Sequence, residues 1–156
     1  MTALDLEHFL PYRLSVLSNR ISEAIAASYR DRFGLSVTEW RVIAIIGRHP
    51  GSTATEVAQR AAMDKVAISR TVKRLMARGL LRRRTDRGDR RSRRLRLSPA
   101  GQAIHDQVVP AAQRFEKQLL DALQPAEREL LDRLIERLAE QCRIALDGAR
   151  DGAGPR

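Results

Sequence analysis

Between residues 82 and 96 the chain carries nine arginines and two aspartates. All of this positive charge is arginine and none is lysine. The guanidinium is a planar fork that matches phosphate oxygens and suits narrow minor grooves. A run of like charge is usually a solvated face, but nine arginines in fifteen residues exceed what solubility requires. Just upstream, residues 64–78 read as an amphipathic helix. Ile68, Val72, Leu75 and Met76 recur at helical spacing, while Lys65, Ser69, Arg70, Lys73 and Arg74 occupy the other face. The chemistry these residues can do is recognition of a polyanion.

Bond-making chemistry lacks its parts. The three histidines, His8, His49 and His105, fall in different segments, with no Cys, Asp or Glu partner at metal or triad spacing. No glycine loop of phosphate-cradling form is present. Cys142 is the single cysteine, so neither an internal disulfide nor a thiolate zinc site can be built. No catalytic residue, metal or cofactor is expected.

The elements that position the basic residues follow from local signals. Asp64 is placed to N-cap the residue 64–78 helix, and Gly79 stands where its C-terminal cap belongs. Residues 82–84 and 93–97 can pair as short strands around a glycine-containing loop, Thr85 to Ser92. Upstream, Ser36 with Glu39 offers a capping box, with Thr38 as an alternative cap, for a helix over 36–48. His49-Pro50-Gly51 breaks the chain. Thr53 and Glu56 then form a second box for a short helix, 54–61, and Ala61-Ala62-Met63 makes a turn. A short helix, a tight turn, a polar-faced helix and a basic hairpin make up a winged helix-turn-helix. Its second helix enters the major groove, and its wing reaches backbone or minor groove.

Charge is partitioned accordingly. Residues 36–98 carry 17 Lys/Arg and 5 Asp/Glu, a net +12, whereas the remaining segments carry 12 and 14, a net −2. This asymmetry fits a DNA-reading module borne on a scaffold. Aromatic residues make up 4% of the chain, too few for the stacking platforms of single-strand or RNA binders. The absence of a leader or an apolar run of about 18 residues points to a cytoplasmic protein with no membrane partner.

The flanks are helical. Residues 4–31 carry Phe9, Leu14, Leu17, Ile21 and Ile25 at intervals of three to five, with Pro11 near the start and Gly34 as the stop. Tyr12 and Arg13 read first as an interfacial aromatic and a solvated charge. Trp40 reads as a core anchor whose indole N–H could instead face a pocket. Ser98-Pro99 opens a helix to about residue 123, interrupted by Gly101 and by Pro110, which should kink or divide it. Pro125 opens a last helix to about 147, with Leu130, Leu131, Leu134, Ile135, Leu138 and Leu146 in a broad stripe. Residues 148–156 read as a disordered tail. The terminal helices would bury their stripes against each other and a second copy, as a two-fold dimer. Such a dimer sets two recognition helices roughly 34 Å apart and calls for a near-palindromic operator. The fold class expected is mainly α with a small β-hairpin wing. One domain spans 1–147: a DNA-binding lobe over 36–98 flanked by dimerisation helices over 4–31 and 99–147.

The chain resembles the MarR family of transcription regulators from about residue 10 to 146. The resemblance is carried by Leu35-Ser36-Val37-Thr38-Glu39-Trp40-Arg41-Val42 and Thr53-Ala54-Thr55-Glu56-Val57-Ala58. It continues through Ser69-Arg70-Thr71-Val72-Lys73-Arg74-Leu75 and Arg78-Gly79-Leu80-Leu81-Arg82-Arg83. Asp89-Arg90-Arg91 and Leu95-Arg96-Leu97-Ser98-Pro99-Ala100-Gly101 complete it.

The resemblance implies a homodimeric, sequence-specific, double-stranded-DNA-binding repressor released by a small, aromatic and anionic effector. Asp89 and Arg91 match the family's Asp-x-Arg wing element, in which the aspartate orients the arginine, and Gly88 supplies the turn. Ser69, Arg70, Lys73 and Arg74 would face the major groove. Thr53, Lys65 and the wing residues Arg87, Arg90 and Arg91 would meet the backbone or minor groove, with Asp89 orienting Arg91. Arg13 would anchor an effector carboxylate between Tyr12 and Trp40. Cys142, in the last helix, departs from the N-terminal cysteine of oxidant-sensing members and reads as a buried structural thiol at the dimer contact. An architectural, sequence-indifferent DNA binder is the alternative that the +12 segment leaves open.

Overall fold

A computed structural model of the protein describes residues 4–85, 88 and 93–151. Its described elements run α1 (Leu10–Ala26), α2 (Arg30–Phe33), α3 (Val37–Arg48), α4 (Ala54–Ala61) and α5 (Lys65–Ala77). There follow β1 (Leu81–Thr85), β2 (Arg93–Leu97), α6 (Pro99–Leu120) and α7 (Pro125–Asp151). The fold is mainly helical with one antiparallel hairpin, in which Leu81 pairs with Leu97, Arg83 with Leu95 and Thr85 with Arg93.

Local chemistry sets most boundaries. Ser36 Oγ accepts from the Glu39 amide at 3.1 Å, and Glu39 Oε2 accepts from the Ser36 amide at 2.9 Å. Thr53 and Glu56 form the same reciprocal pair at the head of α4. Each box satisfies two amides that a helix start leaves without partners. Asp64 Oδ2 caps α5 by accepting from Ala67 N at 2.9 Å. Gly79 follows α5 at φ 71°, the left-handed conformation glycine adopts at least cost. Ser98 Oγ accepts from Gly101 N at 3.0 Å and donates to Gly79 O at 2.6 Å, tying the start of α6 to the end of α5.

The chain divides into two compact units, one ending at Phe115 and one beginning at Glu116. The core lies in the first. Val42, Ile43 and Ile46 of α3 meet Val57 of α4, Ile68, Val72 and Leu75 of α5, Leu81 and Leu95 of the hairpin and Val108 of α6. The loop after α3 joins this assembly through Gly51 N to Leu95 O at 2.8 Å and Leu95 N to Ser52 O at 2.9 Å. In the second unit, Lys117 and Arg128 both pair with Asp121, and Arg143 bridges Glu140 and Asp147 along α7.

The flanks depart from the sequence expectation. The helix expected over 4–31 is a 17-residue α1 followed by the short α2. After Ala26 the chain tightens: Ser28 N and Oγ both donate to Ile25 O, and Tyr29 N donates to Ala26 O. This turn drives Tyr29 into the core, where it is 1% exposed. Neither Gly101 nor Pro110 divides α6. Gly101 is instead a point of close approach, where a Cβ would overlap the backbone carbonyl oxygen of Leu80. Pro110 is exposed, while Val108 beside it is anchored in the core, so one missing amide does not end the helix. Helix α7 runs to Asp151, past the boundary expected at 147, with the Arg143–Asp147 pair supporting its last turns. Residues 152–156 of the expected tail lie outside the described residues. In the single chain Cys142 is exposed on α7. No described helix is long and apolar enough to cross a membrane.

Candidate nucleic-acid interface and adjoining cleft

Helix α5 is two-faced because its apolar residues keep helical phase. Ile68, Thr71, Val72 and Leu75 are buried; Lys65, Arg70, Lys73 and Arg74 are exposed and Ser69 is half-buried. Lys65, Ser69 and Lys73 are spaced by four residues and so line one ridge, beside the Arg70–Arg74 ridge. These are the five residues the sequence assigned to this helix, and the fold brings them together.

Arg74 is oriented from within the protein. Its Nη2 donates to Thr71 Oγ1 at 3.1 Å, and Thr71 in turn donates to Ala67 O at 2.9 Å. Arg74 Nε also lies 3.6 Å from Glu39 Oε1. Arg78 is committed to the scaffold: it donates to Phe33 O at 2.6 Å and Gly34 O at 3.1 Å, and lies 3.5 Å from Glu39 Oε2.

Thr53 heads α4, its Oγ1 accepting from Glu56 N at 3.2 Å, and its side chain also hydrogen-bonds the Glu56 carboxylate. Glu56 is held below the usual carboxylate range, first by the Thr53 amide and also by Arg94, 4.0 Å away. Arg87, Asp89, Arg90 and Arg91 lie outside the described residues.

One residue escaped the sequence reading. Val66 is apolar yet 57% exposed, on the first turn of α5. It is out of phase with the stripe Ile68, Val72, Leu75, and that phase error was the available signal. An exposed aliphatic group there can meet the methyl group of a thymine.

The first unit also holds a cleft of about 610 Å³, lined by Ser22 and Ile25 of α1, Tyr29, Trp40, Arg41, Ile45 and Arg48 of α3, His49, and Arg60 of α4, among others. Trp40 sits between Tyr29 and His105, with ring centroids at 5.6 and 6.1 Å. Arg60 Nη1 lies 3.4 Å from His49 Nε2. Burial, then Arg60 and Arg48, push the His49 imidazole below its ordinary range. Trp40 therefore faces a pocket as well as the core. Tyr12 and Arg13 do not line this cleft. They are exposed near the start of α1, and Arg13 precedes Ser22 by nine residues, roughly 14 Å of helix. The cations at the cleft are Arg41, Arg48 and Arg60.

Comparison with known proteins agrees with this architecture. A profile of the MarR family matches residues 33–92, which hold α3, α4, α5 and β1. No curated protein matches the chain. A probable transcriptional regulator from Pseudomonas aeruginosa is 30% identical, with a TM-score of 0.73, over 85% of this chain and 98% of that one. A MarR-family transcriptional regulator from Silicibacter pomeroyi is 28% identical, with a TM-score of 0.73, over 89% and 96%. The PcaV transcriptional regulator from Streptomyces coelicolor, solved in complex with its natural ligand, is 25% identical with a TM-score of 0.74, over 90% and 98%. The profile match over residues 33–92 and the fold shared with those structures over most of their length agree, and the chain belongs to the MarR family of winged-helix transcription regulators.

Proposed function

We propose that this chain is a sequence-specific, double-stranded-DNA-binding repressor that works as a homodimer and is released by a small anionic aromatic ligand. The observation that carries the reading is the two-faced α5: a polar ridge of Lys65, Ser69, Arg70 and Lys73, exposed or half-buried, is backed by the core. In the proposed complex, Ser69, Arg70, Lys73 and Arg74 meet base edges and phosphates in the major groove. Thr53 and Lys65 hold the backbone, with Arg87, Arg90 and Arg91 as wing contacts and Asp89 orienting Arg91.

Dimerisation is supported by apolar surface. Leu130, Leu134, Ile135 and Leu138 of α7, and Leu10, Leu14 and Leu17 of α1, are each at least 42% exposed in the single chain. Faces of this size call for a partner, and a second copy supplies a self-complementary one. The ligand reading is supported by the cleft, whose aromatic wall and three arginines suit an aromatic anion.

The test is fluorescence anisotropy on DNA upstream of the protein's own gene against a scrambled duplex, at about 150 mM salt. Specific regulation gives a preference of roughly a thousandfold or more, and Arg91→Ala weakens it without unfolding the protein. Aromatic acids and their thioesters added to the complex then release the duplex. The second reading, a sequence-indifferent architectural binder, is favoured by the net +12 of residues 36–98. It predicts equal affinity for both duplexes and for duplexes selected from random sequence.

A further inference from the structure

The cleft carries positive charge that the fold leaves uncompensated. No Asp or Glu is among the described residues that line it, and Arg41, Arg48 and Arg60 form no ion pair among the described residues. Glu56, one turn before Arg60 on α4, is taken up by the Thr53 amide at 2.7 Å and by Arg94. Arg41 is the least satisfied of the three. It is half-buried, and its guanidinium donates to Met63 Sδ at 3.7 Å and Ser22 Oγ at 3.5 Å. Contacts this long are weak, and a partly buried cation without a carboxylate is costly to keep. Tyr29, also of the cleft, is 1% exposed, and its hydroxyl has no hydrogen-bond partner among the described residues. No described side-chain oxygen that is sealed from solvent lacks a partner, so this hydroxyl opens onto the cleft.

The charges stand at two separate ends. Arg41 and Arg48 are two turns apart on α3, so they share one face with roughly 10 Å of helix between them. Ala44 and Ile45 fill the intervening turn. Electrostatics divide the cleft the same way. Burial raises the Tyr29 hydroxyl above its usual range, and of the three cleft arginines only Arg41 acts on it. The His49 imidazole instead feels Arg60 and Arg48. Tyr29 and Arg41 are buried or half-buried, whereas Arg48 and Arg60 are exposed, so the first end is the inner one and the second the outer.

We propose that the cleft takes an elongated aromatic dianion, with one anionic group on Arg41, Tyr29 and Ser22 and the second on Arg48, His49 and Arg60. The body between them lies along Ala44 and Ile45, against the Trp40 ring. Two anions satisfy both ends, whereas a monoanion leaves one end uncompensated. The Arg41 guanidinium takes a carboxylate as a two-pronged pair, and the Tyr29 and Ser22 hydroxyls add donors to it. The proposal rests on the ligand reading above and deepens it: that reading asks for one anionic group, and the two ends of the cleft ask for two, held apart by an apolar body.

The experiment is isothermal titration calorimetry of the full-length protein at neutral pH with para-phenylenediacetate and with its monomethyl ester, which keeps the shape and one charge. The wild type should bind the diacid roughly tenfold tighter, the worth of one charge-assisted contact. Arg41→Gln removes the inner end, and Arg48→Gln/Arg60→Gln the outer. Each variant should bring the diacid down to the affinity of the monoester, because the monoester uses whichever end remains. The second variant replaces exposed side chains, so it tests the proposal even where Arg41→Gln fails to fold. Equal wild-type affinity for the two compounds overturns the proposal and leaves the ligand reading standing. A preference for the diacid that survives Arg48→Gln/Arg60→Gln does the same. Binding of neither compound to the wild type overturns the ligand reading itself, and this proposal with it.

Discussion

Glu39 at the head of α3 and Arg74 on α5 approach to 3.6 Å, with the carboxylate side chain 9% exposed and the guanidinium 57%. Glu39 also meets Arg78 and closes its own capping box through Ser36 N. One buried carboxylate therefore fixes the start of α3, the end of α5 and an arginine on the exposed face of α5. Glu39→Gln keeps a cap acceptor and removes the charge. We expect a stability loss of roughly 1 kcal/mol, read from the urea midpoint, since both ion pairs are partly screened. Duplex affinity should fall as well, because Arg74 loses the partner that orients it. A role limited to charge gives the opposite sign: removing a negative group near phosphates would tighten binding.

Ala62, in the turn between α4 and α5, has φ 50° and is the one described residue other than glycine with positive φ. An L side chain is strained there by its Cβ. Ala62→Gly should stabilise the fold by about 0.5–1 kcal/mol after the entropy of the more flexible unfolded chain is subtracted. Calorimetry would show this as a melting temperature raised by about 1–4 °C. A lowered melting temperature would refute the strain assigned to this turn.

Gly101 has no room for a methyl group. Its Cβ would overlap Leu80 O, which accepts from Ser98 N at 3.0 Å, while Leu80 N is bonded to Leu75 O at 2.9 Å. The obstacle is backbone anchored on both sides, so it cannot swing away. Gly101→Ala should cost about 3 kcal/mol, at the upper end of overpacking effects. Chemical denaturation of the purified variant checks this, and a loss below about 1 kcal/mol would mean that α6 can shift freely.

His49 gives the cleft a pH dependence whose sign follows from burial and its arginine neighbours. Its imidazole is pushed below its ordinary value of about 6.5, so the unfolded chain takes up this proton first. The stability it contributes is present above that value and is lost as pH falls through 6.5 toward the folded value. Anion binding runs the other way, because a bound anion favours the protonated ring. An aromatic sulfonate, ionised throughout, should bind roughly threefold to tenfold tighter at pH 5.5 than at pH 7.5, monitored by Trp40, the only tryptophan. His49→Gln should abolish the difference. Equal affinity of the wild type at both pH values would remove His49 from the site.

The sequence by itself determined the helix-turn-helix, its caps and the hairpin, because those signals act within a few residues. Ser36 with Glu39, Thr53 with Glu56 and Asp64 with Ala67 are each three apart, and the stripe Ile68, Val72, Leu75 settles which face of α5 is free. Tertiary structure alone decided what depends on the path of the chain. Arg78 had no role in the local reading beyond its place in the family motif, and contacts 39 to 45 positions away commit it to Glu39, Gly34 and Phe33. Gly101 looked like an interruption and proved to be a contact with Leu80, since only the packed fold shows how close two backbones come. The cleft drew its cations from Arg41, Arg48 and Arg60 rather than from Arg13 for the same reason. A pocket is the space left where α1, α3 and α4 converge, and no local pattern encodes that convergence.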